Sequence, residues 1–338
     1  MNEIEKVEIG IIKLTTNGKL YIIGEYNVIF PKGNAILYGL NKDIKFEIKD
    51  SNDFLYQTRK VTQKFEYNDK TFTFESNNND EIIKTAIKIT FDYLKYKGIE
   101  PTPFNLNIVS DLESKLGEKY GFGSSSALIT GVIKSILLFH ELDANNFLVF
   151  KLAVLTQNKL NDFSSGGDLA SALFGGVIYY ERYNKKWLLK NIDNIEIVEK
   201  KWPKLKIVEL KTNLKFGAIW TKTSYKTKNL TYQITKKELK QAKKLVNTAY
   251  HNIITNNYIS LKKTINKYQL WLENVLKEDK LFTEELQTAI RVASKFQLAS
   301  KISGAGGGDS IIFLYPEGFN FNNLIEELNN KDLQLFLV

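Results

Sequence analysis

Between Lys119 and Val132 the chain reads KYGFGSSSALITGV, and no other stretch constrains its fold as tightly. Gly121 and Gly123 bracket Phe122, and the serines Ser124, Ser125 and Ser126 follow. An apolar helical pattern then begins with Leu128, Ile129, Val132, Ile133, Ile136 and Leu137. Glycine permits backbone shapes and close approaches that a Cβ forbids. Serine is a favoured N-cap, so the serines predict a helix start. The first-turn N–H groups of a helix lack internal partners and carry partial positive charge. A glycine-rich turn feeding such an end is a cradle for phosphate. It is equally the start of a capped core helix after a tight turn, and the segment alone does not choose between the two.

The 338 residues favour two domains, and a hydrophobic content of 43% with 12% aromatics suffices for packed cores. No apolar stretch is long enough to cross a bilayer. The N-terminal MNEIEKVEIG lacks the pattern of a secretory leader, and cysteine is absent, so a cytoplasmic protein is expected. The lack of cysteine excludes disulfides, thiolate metal sites and cysteine nucleophiles. Basic residues number 47 against 38 acidic, a net charge of +9. The lysines are spread along the chain beside Asn, Ile and Tyr rather than gathered with arginine and aromatics, so neither nucleic acid nor membrane is an expected partner. The two histidines, His140 and His251, fall at the end of an apolar helical pattern and in a charged helical stretch, and neither is expected to act in catalysis or bind metal.

Residues 4–14 and 19–24 alternate as strands around a turn expected at Asn17-Gly18. Ala35–Leu40 and Ile44–Ile48 read as further strands, and 51–80 as polar and β-rich with an Asn77–Asn79 loop. Ile83, Ile87, Phe91 and Leu94 have helical spacing with Gly98 as a stop. Phe104–Val109 reads as a strand, 146–158 as a helix and Val177–Tyr180 as a strand. A lysine-rich stretch to Pro203 suggests a division into 1–195 and 196–338. The second part opens with strands at Leu205–Leu210 and Phe216–Trp220. Helical patterns cover roughly 236–256, 258–277 and 283–297. A second glycine loop, SGAGGGDS at 303–310, precedes a strand at Ile311–Tyr315, a short helix and a last strand. Strands and helices without a strict βαβ rhythm predict an α+β fold in both parts.

Neither glycine loop is a Walker or Rossmann motif. Between them lies Asp168, after Ser165-Gly166-Gly167, and near the N-terminus Lys19 stands in the strand-like GKLYIIGEY. These pieces, in this order, resemble the GHMP kinase superfamily, and within it the bacterial-type phosphomevalonate kinases. GKLYIIGEY is similar to that family's GKLYIAGEY, KYGFGSS to KYGLGSS, and SSGGDLASALFGG to SGGDIAxxxxGG. IWTKTS stands where WTGxPAST is common, and KISGAGGGDSIIFL is similar to KxSGAGGGDxxIxL. The resemblance spans nearly the whole chain. It implies an N-terminal ribosomal-protein-like domain, a C-terminal ferredoxin-like domain and a site in the cleft between them.

By the same resemblance the chain is expected to be a monomer or homodimer that takes ATP and Mg2+ and phosphorylates 5-phosphomevalonate. Mevalonate kinase, another GHMP small-molecule kinase and a non-catalytic metabolite-binding protein are the alternatives. Lys19 and Asp168 would be catalytic. Gly121, Gly123, Ser124, Ser125, Ser126, Gly304, Gly306 and Gly307 would hold the nucleotide, with Ser125 also on the metal. Tyr26, Ser165, Ser224 and Thr227 would meet the acceptor. Three departures stand out. Gln157 takes the place of an acidic magnesium ligand eleven residues before Asp168. Lys222 and Lys226 enter the WTKTSYKT segment. NDFSSGGD replaces a glycine-richer turn.

Overall fold

The period-two alternation of the first fifty residues produces three antiparallel strands, β1 (Ile4–Glu8), β2 (Ile11–Ile23) and β3 (Asn34–Asp50). The computed structural model describes residues 4–8, 10–68, 71–75, 80–113, 119–223, 234–276 and 281–337. The expected turn at Asn17-Gly18 does not form. The chain reverses near Gly10 (φ 89°), and β2 runs through both residues. Asn-Gly signals a hairpin only where its flanking strands can end. Here the long β3 runs on beside β2 past both residues, and the irregularity is a register shift between Asn17 and Lys19 in which three residues of β3 (40–42) lie opposite Gly18 alone. Likewise the two strands expected at 35–40 and 44–48 are halves of the single strand β3.

β4 (Phe54–Gln57), β5 (Thr62–Asn68) and β6 (Thr71–Phe74) form a meander, followed by α1 (Glu81–Tyr96) and β7 (Phe104–Ser110). Then come α2 (Ser124–Phe139), α3 (Asn146–Lys159), α4 (Gly167–Phe174) and β8 (Gly176–Glu181). α5 (Lys185–Asn191), a 3₁₀ turn at Ile195–Val198 and β9 (Lys206–Leu210) complete this part. The sheet order is β1-β2-β3-β7-β4-β5-β6, with β8 and β9 attached through β3. β3 changes partner along one edge. Its residues Ile44–Asp50 pair with β7, and Asn34–Gly39 pair with β8. The sheet therefore forks beside Gly39, whose register partner on β2 is Lys19.

The second sheet consists of β10 (Lys215–Trp220), β11 (Ala299–Ser303), β12 (Ser310–Tyr315) and β13 (Gln334–Leu337), in the antiparallel order β11-β12-β10-β13. With α6 (Lys236–Ile254), α7 (Tyr258–Leu276) and α8 (Glu284–Lys295) between its first two strands, and α9 (Asn322–Asn329) before its last, this is a ferredoxin-like split arrangement. Among the described residues three helices stand in the first crossover where the simple motif has one. The segment expected to open the second part, Lys206–Leu210, instead closes the first sheet against β8. We place the boundary between Leu210 and Lys215 rather than at residue 195.

The core is continuous across the two parts. α2 buries Ala127, Ile129, Val132, Ile133, Ile136 and Leu137, and Thr16 of β2 donates from Oγ1 to its Ala127 carbonyl at 2.7 Å. Aromatic rings bridge the sheets: Tyr38 meets Phe216 with centroids 5.9 Å apart, and Tyr120 meets Trp220 edge-on at 4.7 Å. Among the described residues no helix is long and apolar enough to cross a membrane.

Candidate active site

Two helix N-termini converge beside the fork in the large sheet. The first is that of α2. The serines do not cap it; Gly123 occupies the N-cap in the left-handed region (φ 76°) with no side-chain cap. Ser126 and Ala127 donate to its carbonyl at 3.1 and 3.2 Å, so the N–H groups of Ser124 and Ser125 precede the helical ladder. Gly123 is glycine for a second reason. A Cβ there would lie 2.8 Å from Cγ of Lys19. The loop thus presses onto the lysine stem, and the Lys19 N–H donates to the Phe122 carbonyl at 2.8 Å.

Ser124 and Ser125 line a pocket of about 440 Å³. Arg59, Lys60 and Lys119 line it together with the carboxylates Asp80 and Glu113, leaving an excess of one positive charge, and Ile82, Ile83 and Leu128 form an apolar wall. Cations beside a helix N-terminus favour an anionic ligand, and an apolar wall next to them suits a flat ring. Ser126 is buried. Arg59 and Lys60, in the β4–β5 turn, carry no periodic signal in the sequence. They are held by Asp111 and Glu113 at 3.4 and 3.3 Å.

The second N-terminus is that of α4, capped by Gly166 (φ 83°), with Asp168 in its first turn. Asp168 Oδ2 lies 3.5 Å from Nζ of Lys19, and the two side chains are 33% and 10% exposed. Tyr21, two residues along β2, turns its ring toward the same ammonium, 5.4 Å from centroid to Nζ. Its hydroxyl lies 3.5 Å from Oγ of Ser165, which accepts from the Gly167 N–H at 3.3 Å. Burial, and next the negative Asp168, hold the Tyr21 phenol well above its ordinary range, so it remains protonated. The arrangement is a carboxylate oriented by an ammonium and a phenol at the mouth of a helix. Tyr21 is absent from the expected site residues because it reads as one more strand aromatic.

The second glycine loop, 304–308, closes over this group from the other sheet. A Cβ on Gly304 would come within 3.6 Å of Lys19 Nζ, and one on Gly121 within 2.3 Å of Asp309 Cγ, so the two glycine loops touch. Gly307 N–H donates to the Leu281 carbonyl at 2.9 Å, and a Cβ on Gly306 would meet that same carbonyl at 2.7 Å. Tyr26 is buried, and its hydroxyl donates to the Ala305 carbonyl at 2.5 Å, which gives it a bracing contact with the loop. Ser303 Oγ accepts from the Tyr21 N–H at 2.8 Å. Beneath the loop, Lys301 and Glu25 form an ion pair at 2.5 Å with both side chains buried. Each sits inside a motif, Glu25 in GKLYIIGEY and Lys301 in KISGAGGGDSIIFL, with no local pattern that marks it as buried or paired.

Arg182 fastens the loops that frame Asp168: its guanidinium donates to the carbonyls of Ile29, Phe163 and Ser164 at 2.8, 3.1 and 2.9 Å. Gln157 is buried, and its amide oxygen accepts from the Ser164 hydroxyl at 3.1 Å. Ser224 and Thr227 lie outside the described residues, as do Lys226 and Asn77–Asn79. Lys222 forms an ion pair with Asp332. Among the described residues no group of three or more His, Asp or Glu is placed to hold a metal. His140 accepts at Nε2 from the Thr102 N–H at 3.0 Å, and His251 is exposed on α6. A further pocket of about 570 Å³, with Lys13, Asn17, Asp43 and Glu47, lies on the face of the large sheet turned away from α2.

Comparison with known proteins fits this geometry. The model of the GHMP kinase N-terminal domain matches residues 81–176, and that of the GHMP kinase C-terminal domain matches 249–333. A mevalonate kinase of Methanocaldococcus jannaschii is 25% identical, covering 96% of this chain and 97% of its own. A phosphomevalonate kinase of Streptomyces sp. is 24% identical over 88% of each chain. The crystal structure of Streptococcus pneumoniae phosphomevalonate kinase in complex with phosphomevalonate and AMPPNP superimposes with a TM-score of 0.85, covering 97% of this chain and all of that one, at 22% identity. With both family models matched across more than half of its length, the chain belongs to the GHMP kinases.

Proposed function

We propose that this kinase transfers the γ-phosphoryl group of ATP to the phosphate of 5-phosphomevalonate, giving the 5-diphosphate and ADP. The observation that carries the reading is the Lys19–Asp168 pair, 3.5 Å apart, between a glycine-braced helix N-terminus and a second glycine loop. The apolar wall of Ile82, Ile83 and Leu128 would receive the adenine. Arg59, Lys60 and Lys119, with the first-turn N–H groups of α2, would receive the triphosphate. Mg2+ prefers a few protein oxygens together with phosphate and water. Ser125, exposed in the first turn of α2, suits that coordination, and Gln157 has its oxygen engaged by Ser164. The metal would neutralise charge on the transferring phosphate.

An acceptor phosphate oxygen attacks the γ-phosphorus as the bond to the β-phosphate oxygen breaks and ADP leaves. That acceptor is already largely ionised at neutral pH, so Asp168 has little proton to remove. Its work is to hold Lys19 and the acceptor in line, and the Lys19 ammonium stabilises charge on the equatorial oxygens. Ser165 and Arg182 shape the acceptor side.

The experiment is a coupled ADP-release assay with mevalonate, 5-phosphomevalonate, homoserine and galactose in turn. Turnover of 5-phosphomevalonate, lost by about 10²-fold or more in Lys19→Met and Asp168→Asn with the fold intact, is expected. No turnover of any acceptor removes the reading. Mevalonate as the sole acceptor moves it to mevalonate kinase, the activity named for the Methanocaldococcus relative.

A further inference from the structure

The Lys301–Glu25 pair has no part in the reading above, yet it lies directly under the reacting groups. Glu25 follows β2, the strand that carries Lys19, and Lys301 belongs to β11, the strand that ends at the second glycine loop. Lys301 is 0% and Glu25 3% exposed at the side chain. The Lys301 ammonium also donates to the Tyr21 carbonyl at 3.3 Å and to its neighbour Ile302's carbonyl. On the other side of that residue the Tyr21 N–H donates to Ser303 Oγ at 2.8 Å. Tyr21 is therefore stitched to β11 through both of its backbone groups, two residues from Lys19. Tyr268 of α7 closes the chamber, its ring centroid 5.8 Å from Lys301 Nζ, and Gln269 accepts from the Ile302 N–H at 3.0 Å.

Stability alone does not account for such a pair. Two charges taken wholly out of water lose hydration that their attraction barely returns, and apolar residues of similar volume are commonly as stable or more so. Burial raises the Glu25 carboxyl and lowers the Lys301 amine from their ordinary values, each thereby leaning toward neutrality against its partner's pull. What the pair supplies that apolar residues cannot is direction: a fixed ammonium between one carboxylate and two named carbonyls.

We propose that Glu25 and Lys301 are positioning residues for phosphoryl transfer, holding the strand that bears Lys19 in register with the glycine loop of the second domain. The proposal rests on the kinase reading. Neither residue touches the reacting atoms; both act through Lys19 and Gly304.

The test is the paired substitution Glu25→Leu with Lys301→Met, beside each single change and Ser303→Ala, in full-length protein. Each single change leaves one charge buried alone and is expected to lower the melting temperature. The double variant is expected to melt near the wild type, yet to lose about 10- to 100-fold in kcat with KM for ATP within about threefold, because a misplacement of about 1 Å costs on that order. Ser303→Ala removes one stitch without touching a charge, and it is expected to lower kcat by about three- to tenfold at unchanged stability. Should the double variant not fold, Ser303→Ala alone decides. Wild-type kcat in a folded double variant, or in Ser303→Ala, overturns the proposal and leaves the pair purely structural. A wild-type protein without turnover on any acceptor instead removes the kinase reading, and this proposal with it.

Discussion

Replacing Gly123 with alanine strikes the contact between the first glycine loop and Lys19. Two costs follow from the geometry. Gly123 has φ 76°, and an L-residue in the left-handed region costs about 1–2 kcal/mol. The new Cβ would also lie 2.8, 3.1 and 3.5 Å from Cγ, Cε and Cδ of Lys19. Carbons rest about 3.5–4.0 Å apart, so the stem must move by about 1 Å. The side chain is 10% exposed, with Nζ 5.4 Å from the Tyr21 ring centroid and 3.5 Å from Asp168 Oδ2, so a shifted stem disturbs that placement. Displacement of that size costs about 10²-fold in rate, or about 2.7 kcal/mol in the barrier. Gly123→Ala is therefore expected to lower kcat by about two orders of magnitude while stability falls by only about 1–2 kcal/mol. Steady-state kinetics and urea unfolding on the same preparation give both numbers. A variant with kcat within about threefold of wild type would show that Lys19 need not hold its place for transfer.

Three further outcomes are expected. Phe336→Ala empties the socket in which this ring meets Tyr120 and Phe122 at 5.0 and 5.3 Å. It should cost about 3 kcal/mol by chemical unfolding, and a loss below about 1 kcal/mol would mean the two parts hold together without it. Arg59→Ala and Lys60→Ala should each raise KM for ATP by about three- to tenfold, less at high salt, with kcat unchanged; an unmoved KM places the triphosphate elsewhere. Burial holds the His140 imidazole below its ordinary value of 6.5. The folded state therefore binds this proton less readily than the unfolded chain, so the associated stability is complete above pH 6.5 and is lost as the pH falls below it. Melting curves from pH 7.5 to 5 should show a shallower acid-side decline in His140→Gln than in the wild type. Equal slopes would exclude His140 as a source.

Much of this site was legible because its chemistry is local. A run of glycines and serines before an apolar helix marks a helix N-terminus wherever it occurs, and Asp168 after Gly166-Gly167 marks another. The helices of the second part were legible from periodicity for the same reason. What failed was decided at long range. Asn17-Gly18 has the local chemistry of a turn, but β3 continues as a partner beyond it. Ser124 has the chemistry of a cap, but the left-handed Gly123 takes that position and leaves Ser124 and Ser125 among the residues that line the pocket. Lys206–Leu210 follows a lysine-rich break, yet β8 has an edge open for it. Arg59, Lys60 and the partners Glu25 and Lys301 reach the site only through folding. Arg59 is 52 residues from Asp111, which holds it, and no periodicity encodes such a distance.

The aromatic residues of the first glycine loop have a mechanical consequence. Tyr120 and Phe122 grow from the turn before α2, yet both rings are planted against Phe336 of β13, and Tyr120 also against Trp220 of β10. The loop is thus a tether with one foot in each lobe. Separating the two sheets would strip Tyr120 and Phe122 from Phe336, so the placement of the turn before α2 depends on the sheets staying packed.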